Sequence, residues 1–281
     1  MKTLWVTALL LIPTIATAEV RATDARLADR MDRYSQRLIG QPYVSGALGE
    51  GNTGAFDRDP RFREDGFDCT TFVETVVSVA KAKTKAAIMT NMDKIRYKDG
   101  VVSFETRNHM PGLDWIQNNK RNGTFVDITQ SIDRDSTYLA EAMIQKDEWF
   151  RKLGESTLVG IPDEEKTDKL DQLHALSKKF GKKIERVPFL YKYKIVENPS
   201  ILQRIPHGSI INIVRPKWNL VEAAGTYLNI SHQGLAFHKD GVVYFRHAKV
   251  KDKVTEEPLL DYIKRTLESP TIQGINVLIV R

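Results

Sequence analysis

A single cysteine, Cys69, stands in a chain of 281 residues, so no intramolecular disulfide can staple the fold and a hydrophobic core must hold it alone. The N-terminus sharpens that constraint. Lys2 opens a short positive start, Leu4 to Ile15 is apolar apart from Pro13 and two threonines, and Ala16-Thr17-Ala18 precedes Glu19. This pattern predicts a signal peptide over residues 1–18, cleaved near Ala18, and a secreted or periplasmic protein. The apolar run is short for a membrane span, and no other stretch is apolar enough, so no stable membrane insertion is expected after cleavage. Exported proteins ordinarily use cysteines in pairs. A lone thiol in an oxidising compartment is either buried and inert or has chemistry to perform, and the count leaves both readings open.

Residues 19–281 are long enough to form one domain with an insertion, here placed at about 133–194. The net charge of +6 mildly favours anionic partners such as cell-wall polymers. Basic residues are scattered among acidic ones with no aromatic-interleaved stripe, so no nucleic-acid partner is expected.

Ala25 to Leu38 carries Leu27, Met31, Tyr34 and Leu38 at helical spacing. A glycine-rich loop follows from Gly40 to Gly54, then a helix from Cys69 to about Ala82. Lys94 to Phe104 reads as a hairpin around Lys98-Asp99-Gly100. The segment 133–194 is polar and partly helical: Leu170, Leu173, Leu176 and Phe180 share a face, and Gly181 is a stop. Lys178-Lys179 and Lys182-Lys183 read as a solvated helix end. From Gly208 the pattern turns to strands: Ile210 to Val214, Ile230 to His238, Val242 to Val250 and Ile275 to Val280. Helices first and antiparallel strands later predict an α+β fold.

Phe72, Val73, Val76 and Ala80 lie on a helical face with Cys69, and Asp68 directly precedes the run as a candidate N-cap. Cys69 then sits in the first turn, where the positive end of the helix dipole favours a thiolate. The competing reading is a thiol packed as a small apolar residue. Asp68 must aim at backbone donors, because a carboxylate beside the sulfur would raise its pKa.

A thiolate nucleophile needs a histidine, and six are present. His174 and His207 read as surface residues. His232, His238 and His247 lie in a hairpin turning at Asp240-Gly241. A two-residue turn pairs Lys239 with Val242 and His238 with Val243, and hence Gly234 with His247. His232 and His247 then become diagonal neighbours on one face, about 7–8 Å apart at Cα, with open space at Gly234 between them. His238 shares that face, so a three-histidine zinc site is the alternative. No H-E-x-x-H motif is present and a metal would leave Cys69 unused, so no metal and no cofactor are expected, and His238 reads as a solvent-facing strand end.

Gly40-Gln41-Pro42-Tyr43, Phe67-Asp68-Cys69-Thr70-Thr71-Phe72, Gly208-Ser209-Ile210-Ile211 and Ser231-His232-Gln233-Gly234-Leu235 occur in the order found in NlpC-type papain-like cell-wall hydrolases, which this chain resembles. Arg107-Asn108-His109 and Asp114-Trp115 are similar to a branch resembling N-acetylmuramoyl-L-alanine amidases. The resemblance implies a papain-like cysteine hydrolase core, with the nucleophile helix packed on an antiparallel sheet. It implies Cys69 as nucleophile, His232 as base, His247 as its orienter and Tyr43 as a residue lining the pocket. Asp68, Arg107 and Asn108 complete the expected substrate contacts, the arginine by pairing with peptide carboxylates. Thr70-Thr71 departs from the usual Ser-Gly. The implied substrate is peptidoglycan or a muropeptide, cut at the N-acetylmuramoyl-L-alanine amide bond. Cleavage between D-glutamate and the diamino acid, or wall binding without catalysis, are the alternatives.

Overall fold

A computed structural model describes residues 22–281, and the expected signal peptide lies outside the described residues. Three helices lead: α1 (Ala25–Arg37), α2 (Cys69–Lys81) and α3 (Lys85–Arg96). The strands are β1 (Phe125–Asp127), β2 (Thr137–Gln145), β3 (Lys182–Tyr191), β4 (Ser209–Leu220), β5 (Thr226–Lys239), β6 (Val242–Ala248), β7 (Val254–Pro258) and β8 (Gly274–Val280). They form one antiparallel sheet in the order β2-β3-β8-β4-β5-β6-β7, with β1 pairing β8. Among the described residues this is a mixed α/β fold of 8 strands and 11 α-helices.

Both faces of the sheet are covered. On one, Phe72, Val73, Val76, Val77 and Ala80 of α2 join Leu27 and Met31 of α1 in a core with Leu235, Phe237, Ala248 and Leu278. On the other, Ile211, Ile213, Ala236, Phe245 and Val277 pack against short helices that supply Ile195, Ile201, Leu259 and Ile263. Burying each such side chain contributes roughly 2 kcal/mol, and this core does the work that disulfides do in small exported domains.

Two expectations need correction. The hairpin at 94–104 is not there. Thr84 caps α3 by accepting from the Ala87 N–H, and that helix runs on through Arg96. Asp99 and Gly100 do turn the chain at positive φ, yet the return leg meets Tyr97 only through an isolated bridge to Arg107. Segment 133–194 is also more extended than expected. It supplies β2 and β3, and Lys182-Lys183 open β3 opposite Gln145 and Ile144 rather than ending a helix. Its helical part includes Lys146–Lys152 and Lys166–Ala175, the latter tightening into a 3₁₀ turn at Leu176–Lys179.

Candidate active site

The site begins with a cap. Asp68 Oδ1 accepts the Thr71 N–H at 2.7 Å, and the Thr71 hydroxyl returns the bond to the Asp68 N–H at 2.9 Å. This capping box satisfies two orphan donors and starts α2 at Cys69. Asp68 Oδ2 accepts from the Gly46 N–H at 3.2 Å, which ties the glycine-rich loop to the helix start. The carboxylate expected among the substrate contacts is therefore engaged by main-chain donors. Tyr43 bridges Phe67 in parallel, which sets its side chain beside the cap. No protein group among the described residues accepts the Cys69 N–H, as the first turn of a helix requires.

The second half comes from β5 and β6. Leu235 pairs with Arg246, Phe237 with Tyr244 and Lys239 with Val242, the register that the two-residue turn demands. The paired ladder ends at Leu235 and Arg246, and the open space expected at Gly234 is instead filled: an added Cβ there would lie 2.5 Å from Phe245 Cε2 and 2.8 Å from His247 Cβ. His232 Nε2 and His247 Nδ1 share a hydrogen bond of 2.7 Å. His232 Nδ1 is buried and has no partner. On the next residue, the Gln233 side chain accepts from Thr70 Oγ1 at 2.6 Å, which ties the start of α2, one residue past Cys69, to this strand.

Burial sets the electrostatics. It pushes the Cys69 thiol up to about 12, with the Asp68 carboxylate adding in the same direction. It holds His232 down at about 3, reinforced by His247, and His247 down at about 4, reinforced by Lys249 and Arg265. The resting pair is thus a neutral thiol and a neutral imidazole. The thiolate expected from the helix dipole is not the resting form, because a first-turn dipole is worth about 1 kcal/mol and desolvation of a sulfur anion outweighs it. A thiol held above its ordinary value reacts faster only as pH rises. Alkylation of Cys69 by iodoacetamide is therefore expected to climb through pH 9 with no inflection below 8. A plateau reached below pH 7 would contradict it.

Sequence reasoning missed a polar chain behind the cysteine. Thr70 Oγ1 donates to Gln233 Oε1 at 2.6 Å, Gln233 Nε2 to Asn212 Oδ1 at 2.7 Å, and Asn212 Nδ2 to Asn276 Oδ1 at 2.9 Å. Asn276 Nδ2 ends on Asp127, Thr129 and the Pro188 carbonyl. The three amide side chains are buried across β5, β4 and β8, and they hold the start of α2 to the centre of the sheet. Thr70, a departure from the family pattern, keeps the hydroxyl this chain needs. The signal lay in the strands themselves: Gln233 and Asn212 are polar residues at core-facing positions. Gln233→Leu strands Thr70 Oγ1 and Asn212 Oδ1 without partners. It is expected to cost about 2–4 kcal/mol, measured as a lowered urea midpoint at unchanged m.

Arg107 and Asn108 are not brought to this cluster. The Arg107 guanidinium pairs with Glu50 and with Asp57 at 2.9 Å, and it lies 4.8 Å above the Phe104 ring. Asn108 is buried, donating to the Ile95 carbonyl and accepting from Asn118. Both side chains are engaged within the protein, the arginine by carboxylates and the asparagine by main chain and Asn118. They line a cavity of about 350 Å³ whose other walls include Lys98, Arg121, Lys146 and Lys183. His238 is not a free strand end: its Nε2 bonds the Ile205 carbonyl at 2.6 Å, and its main-chain N–H donates to His207 Nδ1 at 3.0 Å. Among the described residues no group of three or more His, Cys, Asp or Glu is placed to hold a metal ion.

Residues 33–272 match the family model described as AmiA-like, N-acetylmuramoyl-L-alanine amidase-like. A crystal structure of a Legionella pneumophila protein, from a family of unknown function, is 35% identical over 90% of this chain and 89% of its own, with a TM-score of 0.87. An N-acetylmuramoyl-L-alanine amidase from Bacteroides uniformis is 25% identical over 92% of this chain and all of its own, with a TM-score of 0.65. A Bacteroides fragilis protein provisionally named a xylanase shares the fold at 24% identity, over 88% of this chain and 100% of its own, with a TM-score of 0.65. No curated protein matches the chain.

Proposed function

Because the chain belongs to the AmiA-like, N-acetylmuramoyl-L-alanine amidase-like family, we propose that it is a secreted cysteine amidase acting on peptidoglycan or muropeptides. The bond cut is the amide between the lactyl group of N-acetylmuramic acid and L-alanine. One observation carries the cysteine mechanism: Thr70, the neighbour of Cys69, bonds Gln233 on the strand where the adjacent His232, bonded to His247, keeps a buried nitrogen without a partner. A helix bearing the thiol and packed on an antiparallel sheet bearing the imidazole is the papain-like arrangement, and we read the core that way. Secretion rests on the N-terminal sequence alone.

The chemistry follows from the protonation states. Cys69 Sγ attacks the lactyl carbonyl carbon as its proton passes to His232 Nδ1. The carbonyl oxygen becomes an oxyanion, stabilised by the free Cys69 N–H. Tyr43 is a second donor: burial first, then Cys69 and Asp68, push its hydroxyl up to about 12, so it stays protonated. Collapse breaks the C–N bond, and the L-alanine nitrogen leaves with the proton from His232. Water, deprotonated by the same Nδ1, then cleaves the thioester and returns the thiol.

The test is incubation of the chain from Glu19 onward with a defined muropeptide, followed by mass analysis of the products. An intact stem peptide released from the sugar supports the amidase. Free L-Ala-D-Glu would instead show the endopeptidase, and no turnover would sink the hydrolase reading altogether.

A further inference from the structure

His247 is not the end of the line. Its Nε2 lies 3.3 Å from Glu257 Oε1 on β7, while the other oxygen of that carboxylate is held by Arg265. His247 pairs with Thr255 and Phe245 with Glu257, so the carboxylate is the diagonal neighbour of the imidazole across β6–β7. Phe245 stacks on the His247 ring at 4.5 Å and Tyr262 packs edge-on at 5.6 Å, leaving that ring little freedom to turn over.

Donor and acceptor roles then propagate in one direction. An ionised carboxylate only accepts, so His247 Nε2 must carry its proton. A neutral imidazole has one N–H, so His247 Nδ1 is an acceptor. His232 Nε2, bonded to that Nδ1, must therefore be a donor, and His232 Nδ1 is left with the lone pair. We propose that Glu257 is a positioning residue that sets the tautomers of His247 and His232 in series, so that the nitrogen available to the Cys69 thiol is a base. This rests on the cysteine mechanism proposed above. The carboxylate touches neither substrate nor sulfur. Its effect is to make one of two nearly equal tautomers of a two-imidazole chain the populated one. When His232 takes the thiol proton, the same carboxylate also favours the cation through His247.

Arg265 makes the idea sharply testable. It can only donate, so in Glu257→Gln it retains the amide oxygen and turns the NH₂ group toward His247 Nε2. That forces His247, and through it His232, into the opposite tautomer, with a proton on His232 Nδ1 where the lone pair was. The side chain keeps its size, so the fold is retained. The expected result is a fall in kcat of about 10²-fold with KM within about twofold. Adding Arg265→Ala frees the amide to rotate and present its oxygen to His247, and should recover most of that loss. Arg265→Ala alone should change little. The ¹⁵N resonances of labelled His232 and His247 at neutral pH report the tautomers directly, in resting protein and without substrate. They should show Nε2–H on both rings in the wild type, Nδ1–H on both in Glu257→Gln, and Nε2–H again in the double variant. Unchanged tautomers in Glu257→Gln, or activity lost there and not recovered by the second substitution, would overturn the proposal. Because the resonances need no turnover, a chain that cuts no muropeptide would defeat the amidase reading and leave the tautomer result to be judged separately.

Discussion

Cys69→Ala is expected to abolish muropeptide hydrolysis, with turnover reduced by about 10⁴-fold or more and the thermal midpoint within a few degrees of wild type. The size follows from the role. Without sulfur no thioester forms, and the oxyanion donors and the base then have only water to activate, which they are not placed to do. The fold should tolerate the change because the sulfur supports little: it lies 3.9 Å from Thr70 Oγ1, a long contact. Alanine is also a better helix former than cysteine at the start of α2. Turnover by mass analysis and melting by circular dichroism decide the matter together. Residual activity near that of wild type would remove cysteine catalysis, and a collapsed melting point would make Cys69 a structural residue, the competing reading for a lone thiol.

What was legible in the sequence divides along physical lines. The start of α2 was readable because capping is local: Asp68 and Thr71 are three residues apart, and the cap needs nothing from elsewhere. The β5–β6 register was readable because a two-residue turn at Asp240-Gly241 propagates rigidly along the ladder. The partly helical character of segment 133–194 was readable, but its strands were not, because β2 is an edge strand whose outward face carries Leu139 and Met143. An alternation that sets alanines inside and large apolar residues outside does not look like a buried-face strand. The setting of Arg107 was illegible for a different reason. Its partners Glu50 and Asp57 lie some fifty residues away, in a loop whose path no local rule predicts. Glu257 fell outside the argument likewise, since it reaches the site only through the pairing of β6 with β7. The resting charge of the pair was misjudged because the dipole is a sequence-local effect, whereas desolvation depends on everything packed around the sulfur.

The glycine that made the histidine argument possible also supplies its most severe test. Gly234 lies one residue beyond the last β5–β6 pair and close against β6, and an alanine Cβ there would stand 2.5 Å from Phe245 Cε2 and 2.7 Å from the Arg246 carbonyl oxygen. Real Cβ atoms do not approach so closely, and one of the two obstacles is main chain that cannot rotate away. Arg246 cannot yield either, since its side chain is fully buried between Asp32 and Glu256. Relief must come from spreading β5 and β6, and the contact that lies across the gap is the 2.7 Å bond between His232 and His247. Gly234→Ala is thus expected to cost about 1–3 kcal/mol through overpacking and, separately, to reduce kcat by about 10²-fold or more by releasing the base from its orienter. The two effects are distinguishable, because activity measured well below the melting transition reports only the second. A variant that melts lower yet turns over at the wild-type rate would show that His232 does not depend on His247. The approach of the two strands would then be a matter of packing alone.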